Sequence, residues 1–154
     1  SPVQISIRND LERPIVFVSS SGTQLMLNSE GSESVYLACF RNFSAVADYI
    51  AGRHERIAII GAGTRGQFRR EDQMGCAWVA EQLVSKGYRT ESEKTAGYIS
   101  RWSGVSPEDA KKGKSADYLM KSGQEEDLNF VISHIDDLDI VPQLADGELI
   151  PAKR

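Results

Sequence analysis

Three stretches of the chain, residues 14–18 (PIVFV), 34–39 (SVYLAC) and 56–60 (RIAII), are largely apolar without interruption. That is the pattern of strands covered on both faces. Residues 3–8 (VQISIR) instead alternate apolar and polar, as a half-exposed strand does. Each apolar run leads into a helical pattern. The first is short, through Gln24 to Leu27. The second is capped by Asn42 or Ser44 and reaches about Ile50, with Val46, Ala47 and Ile50 on one face. The third runs from about Glu71 to Lys86; its acidic start and Lys86-Gly87 end suit the helix dipole and a glycine C-cap. Strand–helix alternation repeated three times predicts parallel strands joined by right-handed crossovers.

From Gly87 to Gly123 the chain turns polar and helical, and Tyr98, Ile99, Trp102, Tyr118 and Leu119 are the residues expected to pack it onto the rest. Ser106-Pro107-Glu108-Asp109 is a helix start: a serine cap, proline at the first position, then acids. Residues 124–134 form a further short helix, and 139–142 and 147–150 read as closing strands around Ala145-Asp146-Gly147. The expected fold class is α/β: a three-layer α/β/α arrangement with a mostly parallel sheet and a helical C-terminal segment, one domain over residues 1–154. Ser1-Pro2 opens directly into a polar stretch, where a doubly wound domain ordinarily has more chain. A fragment, or the C-terminal part of a longer protein, is therefore one expectation for this sequence.

Composition narrows the function classes. The net charge of −4 disfavours a general nucleic-acid or membrane surface. No apolar run approaches the roughly 20 residues of a membrane helix, and the N-terminus has no apolar signal core, so a cytoplasmic protein is expected. Cys39 and Cys76 form no CxxC motif and are expected to be reduced and buried. Two histidines are too few for a histidine-based zinc site. No HExxH, P-loop or GxSxG motif is present.

In an open parallel sheet, ligands bind beyond the C-terminal ends of the strands. The three such ends predicted here share one chemistry. They are Ser19-Ser20-Ser21-Gly22-Thr23, then Arg41-Asn42, then Gly61-Ala62-Gly63-Thr64-Arg65-Gly66 with Arg69 and Arg70 beyond. Glycine lets backbone N–H groups approach an oxygen-rich anion, and arginine offers a fork that matches phosphate. The third loop also fits GxGxxG, but its helix begins only near Glu71 and no strand follows to carry the ribose-binding acid, so dinucleotide binding is disfavoured. Glu71 and Asp72 have two readings: favourable placement on a helix dipole, or a magnesium ligand and proton-transfer carboxylate beside the anion.

Several of these stretches resemble the 2-phosphosulfolactate phosphatases. The resemblance covers Ser20-Ser21-Gly22-Thr23, the run Phe40 to Ala47, the glycine loop from Ile59 through Glu71-Asp72, and Ser115, Leu119, Gly123 and Asp127. It ends on Asp139-Ile140-Val141-Pro142 and Asp146-Gly147. It implies a Mg²⁺-dependent phosphatase of α/β/α architecture. The substrate would be a small sulfonated or carboxylated phosphate monoester, on the route to coenzyme M. Serine stands at 20 and 21 where the family more often has threonine and asparagine. The family's N-terminal portion, with an aspartate–arginine motif, has no counterpart here; if it supplies metal ligands, this chain alone would be inactive.

The residues expected to act are Ser21, Thr23, Arg41, Asn42, Gly63, Thr64 and Arg65 on the substrate, and Glu71 and Asp72 in catalysis, with Asp72 on the metal. Ser21, Arg41 and Arg65 are expected at one sheet edge, around one concavity. The rival reading is a non-catalytic module that binds an anionic metabolite or a partner domain. The sequence leaves monomer and homo-oligomer open.

Overall fold

The computed structural model describes residues 1–10, 12, 19, 21–29, 31–64 and 66–153. The chain is built around α4 (Arg70–Ser85), which carries apolar side chains on two faces. Met74, Ala77 and Trp78 meet Phe40, Trp102 and Ala110 in one cluster. Val79 and Leu83 meet Val46, Ala47, Ile50 and Val141 in a second. The spacing of three and four residues along α4 generates both stripes. The helix α3 (Phe43–Ile50) supplies the second cluster, and α5 (Glu93–Trp102) delivers Trp102 to the first. Trp78 Nε1 donates to the Trp102 carbonyl at 3.2 Å, so a buried indole N–H is satisfied where the two helices cross. A short 3-10 helix (Pro107–Lys112), α6 (Lys114–Lys121) and α7 (Glu125–Ser133) complete the helical part. Ala116, Leu128 and Ile132 form its own small core, with Leu119 against it.

The start departs from expectation. Residues 3–8 are not a strand: α1 spans Pro2–Ser6. Ser1 caps it by accepting from Gln4 N, and Pro2 sits at the first position, where its missing N–H costs nothing. These local signals outweigh a period-two pattern only six residues long. The short helix predicted through Leu27 is present as α2 (Gly22–Asn28).

The mostly parallel, three-layer sheet is likewise not what forms, although the mixed α/β character holds. Among the described residues the sheet is antiparallel with order β1-β2-β3, made of β1 (Val35–Tyr36), β2 (Pro142–Ala145) and β3 (Glu148–Pro151). The run at 14–18 lies outside the described residues. The run at 34–39 is cut short by Asn42, whose side chain takes the Leu37 carbonyl and the Cys39 N–H, groups that a ladder would otherwise use. Residues 56–60 join no ladder among the described residues, although their exposure alternates as in a strand. The β2–β3 hairpin does follow its turn chemistry. Asp146 and Gly147 have φ of 51° and 78°, the left-handed pair that a two-residue type I′ turn requires.

Of the aromatic and apolar residues expected to pack the helical segment, Trp102 is buried, Leu119 is packed, and Tyr98 and Tyr118 are exposed. Cys39 is exposed and Cys76 partly buried; both are free thiols, so the expected burial fails for Cys39. That thiol lies in the tight turn held by Asn42, where the main chain is bonded and the side chain is left outside.

Candidate functional site

The glycine loop before α4 is folded back onto the first turn of that helix. Thr64 and Gln67 exchange both main-chain hydrogen bonds, at 2.9 and 3.0 Å, which closes a tight turn. Gly63 has φ of 64°, and a Cβ there would stand 3.0 Å from the Gln67 carbonyl oxygen. Gly61 lies against Asp72 and Cys76, with Asp72 Cβ only 3.1 Å from where its own Cβ would be. Positive φ and the carbonyl contact call for glycine at 63, and the tight side-chain contacts disfavour a larger residue at 61. Gly63 N–H donates to Asp72 Oδ2 at 3.0 Å, and the main-chain N–H of Arg69, the N-cap of α4, also reaches the Asp72 carboxylate. An acid at the third helical position bonded back to the N-cap amide is half of a capping box.

Burial raises the Asp72 pKa above the usual carboxyl value, and the negative charge of neighbouring Glu71 adds to this; the bonds from Gly63 and Arg69 and the Arg69 charge oppose it. The Cys76 thiol is pushed up to about 11 by burial and by Asp72, so it stays protonated at neutral pH and is no nucleophile. Arg69 Nε is shielded from solvent with no hydrogen-bond partner among the described residues. Glu71 lies beside Asp72 on the first turn, near Gly113. Arg65 lies outside the described residues.

The second loop is a closed corner. Arg41 grips Asp137 with both arms of its guanidinium, Nε to Oδ1 and Nη2 to Oδ2, each at 2.7 Å, and lies over the Phe130 ring. Its hydrogen bond and charge hold the Asp137 carboxyl below its usual range. Asn42 is buried and fully engaged: Oδ1 accepts from Cys39 N at 2.8 Å, and Nδ2 donates to the carbonyls of Leu37 and Ile140 at 3.2 and 3.0 Å. Asp136 accepts from Ser44 N at 3.0 Å, capping α3 from 92 residues away.

In the first loop, Thr23 Oγ1 accepts from Ser19 N at 3.1 Å, and Gly22 N donates to Ser19 Oγ at 3.2 Å. Ser21 is the N-cap of α2 and makes no side-chain cap bond. Ser20 lies outside the described residues.

The structure therefore brings Gly63, Thr64, Glu71 and Asp72 together at one turn. It places Arg41 and Asn42 in a separate network with the segment 136–140. Asp136 and Asp137 were not among the expected site residues. The run His134-Ile135-Asp136-Asp137-Leu138-Asp139 shows only as an acidic loop, and nothing local in it points 96 residues back to Arg41. No group of three His, Cys, Asp or Glu side chains suited to a metal ion occurs among the described residues. Glu71 and Asp72 nonetheless offer adjacent hard carboxylates, and magnesium is commonly held by one or two carboxylates with phosphate oxygens and water completing the shell.

Comparison with known proteins points to the same family as the resemblance. Over 150 residues the chain is 29% identical to a protein of Caldanaerobacter subterraneus subsp. tengcongensis named "Probable 2-phosphosulfolactate phosphatase", covering 96% of this chain and 62% of that protein. Proteins with the same name from Clostridium perfringens strain 13 and Symbiobacterium thermophilum are each 26% identical, over 88% and 97% of this chain. The chain spans 55% and 66% of those two, so in all three about a third or more of the relative lies outside the match. The sequence profile of 2-phosphosulpholactate phosphatase matches residues 1–147, and on that match the chain belongs to this family.

Proposed function

We propose that residues 61–72 form the phosphate end of a magnesium-dependent phosphatase that hydrolyses a small anionic phosphate monoester such as 2-phosphosulfolactate. The observation that carries the reading is the seat of Asp72 on the Gly63 N–H, inside a glycine turn that the family match covers. In this reading Gly63, Thr64 and Arg65 hold phosphate oxygens. Glu71 and Asp72 hold the ion, or Asp72 carries a proton at its Oδ1, which the raised pKa favours. A bound magnesium would supply charge neutralisation on the phosphoryl oxygens. Ser21 and Thr23 would serve the second anionic group, joined by Arg41 where substrate replaces Asp137; Asn42, expected on the substrate, would act there by holding the corner through its main-chain bonds.

Phosphate release from 2-phosphosulfolactate, with and without magnesium, tests the reading. It is measured for the chain alone and for the chain mixed with the unmatched portion of a family relative. Turnover that needs magnesium is expected from at least the mixture, and Arg65→Ala should lower kcat by about 10²–10³-fold, as loss of one preorganised donor does. No turnover from either form would sink the proposal. The non-catalytic module predicts instead phosphate binding that is indifferent to magnesium, with no release.

A further inference from the structure

Ile57-Ala58-Ile59-Ile60 is apolar at every position, yet only alternate residues are covered. Ile57 and Ile59 pack on the α3–α4 cluster, whereas Ala58 is exposed and Ile60 is 60% exposed. A run apolar on both faces is the sequence mark of a strand covered on both faces, and among the described residues nothing covers the Ala58 and Ile60 face. Among the described residues nothing hydrogen-bonds to the main chain of residues 56–60. Such a row of N–H and C=O groups is a template for another strand. A groove of about 1110 Å³ opens along the run, bounded by α4 and α5, with Val84 and Tyr98 exposed on its wall and Phe68 at its mouth beside Gly61 and Cys76.

We propose that residues 56–61 are an acceptor edge for β-augmentation, and that the occupant is an apolar strand from the part of the family's polypeptide outside the matched region. Two independent facts meet here. Among the described residues the edge has no hydrogen-bonded partner and its Ala58 and Ile60 face is exposed, and the Caldanaerobacter relative carries more than a third of its length beyond the match. Main-chain pairing supplies register and affinity in this mode, while the exposed Ala58 and Ile60 face selects apolar side chains. The inference does not depend on the phosphatase chemistry, because its readout is main-chain protection and not turnover.

The test is amide hydrogen exchange of the chain, alone and with peptides of about 15 residues that tile the unmatched part of the Caldanaerobacter relative; such a length exceeds one typical strand. At least one peptide should slow exchange at residues 57–61 by about tenfold, as expected when roughly nine-tenths of the chain is bound. Ala58→Pro, which removes an N–H from the edge, should abolish the protection, and Ile60→Lys should weaken it. Neither side chain is buried, so the helical circular-dichroism signal should be unchanged in both. The proposal is overturned if no peptide protects these amides, or if protection survives Ala58→Pro. It is also overturned if protection rises with chain concentration in the absence of peptide, since the occupant would then be a second copy.

Discussion

Two corners of this molecule carry the chemistry expected of an anion site, and they use it differently. At the Arg41 corner the named groups are engaged within the chain: a two-armed pair with Asp137, an aromatic ring beneath it, and an asparagine bonded to main-chain groups. At the turn of residues 61–72 the polar groups converge without cancelling. Asp72 accepts main-chain N–H groups, lies beside a second carboxylate and has its pKa raised, and Arg69 Nε has no partner among the described residues. Similar loop ends can thus close on a charged partner or gather around a carboxylate held by main-chain N–H groups. The partner decides which, and here it comes from the opposite end of the chain.

The largest effect should come from breaking the clasp. Asn42→Ala removes the buried amide that engages the Leu37 and Ile140 carbonyls and the Cys39 N–H, and should cost about 1–3 kcal/mol in urea unfolding. If Asn42 served substrate alone, the midpoint would not move.

A smaller loss is expected at the turn. Gly63→Ala sets a Cβ against the Gln67 carbonyl at positive φ and should cost about 1–2 kcal/mol. It should also broaden or shift the Asp72 signals in NMR, because the Gly63 N–H is the bond it displaces. A stability change with Asp72 undisturbed would separate the loop from the carboxylate and weaken its claim to be one site.

What could be read in advance follows the range of the cause. The helices α3, α4 and α7 were legible because caps, acidic first turns and apolar spacing act within a few residues. The hairpin turn was legible because Asp146-Gly147 can adopt its φ values. The sheet was not. An apolar run such as 56–60 states that a strand would be covered, but not what covers it. The Asp72 turn was visible in part, as glycines before an Glu-Asp helix start. The internal partners of Arg41 and Asn42 could not be read, since Asp137 and Ile140 are nearly 100 positions distant.

The finest test sets the two carboxyls against each other through pH. Asp72 has a raised pKa in the folded chain, so its contribution is fully favourable below the unfolded value of 3.8 and is lost as pH rises through the folded value. Asp137 has a lowered pKa; its contribution is present above 3.8 and is lost as pH falls through the folded value. The two corners therefore tilt stability in opposite directions on either side of one pH. Asp72→Asn should flatten the slope above 3.8 and leave the one below it. Arg41→Gln should do the reverse, and in a carboxyl NMR titration should move Asp137 up toward its ordinary value. Because Arg41 and Asp137 are 31% and 33% exposed, added salt should reproduce part of that shift by screening, while the half-buried Asp72 responds less. An Asp137 titration untouched by Arg41→Gln would show that the pair does not form in solution. Arg41 would then be free for an anion, and the contrast between the corners would disappear.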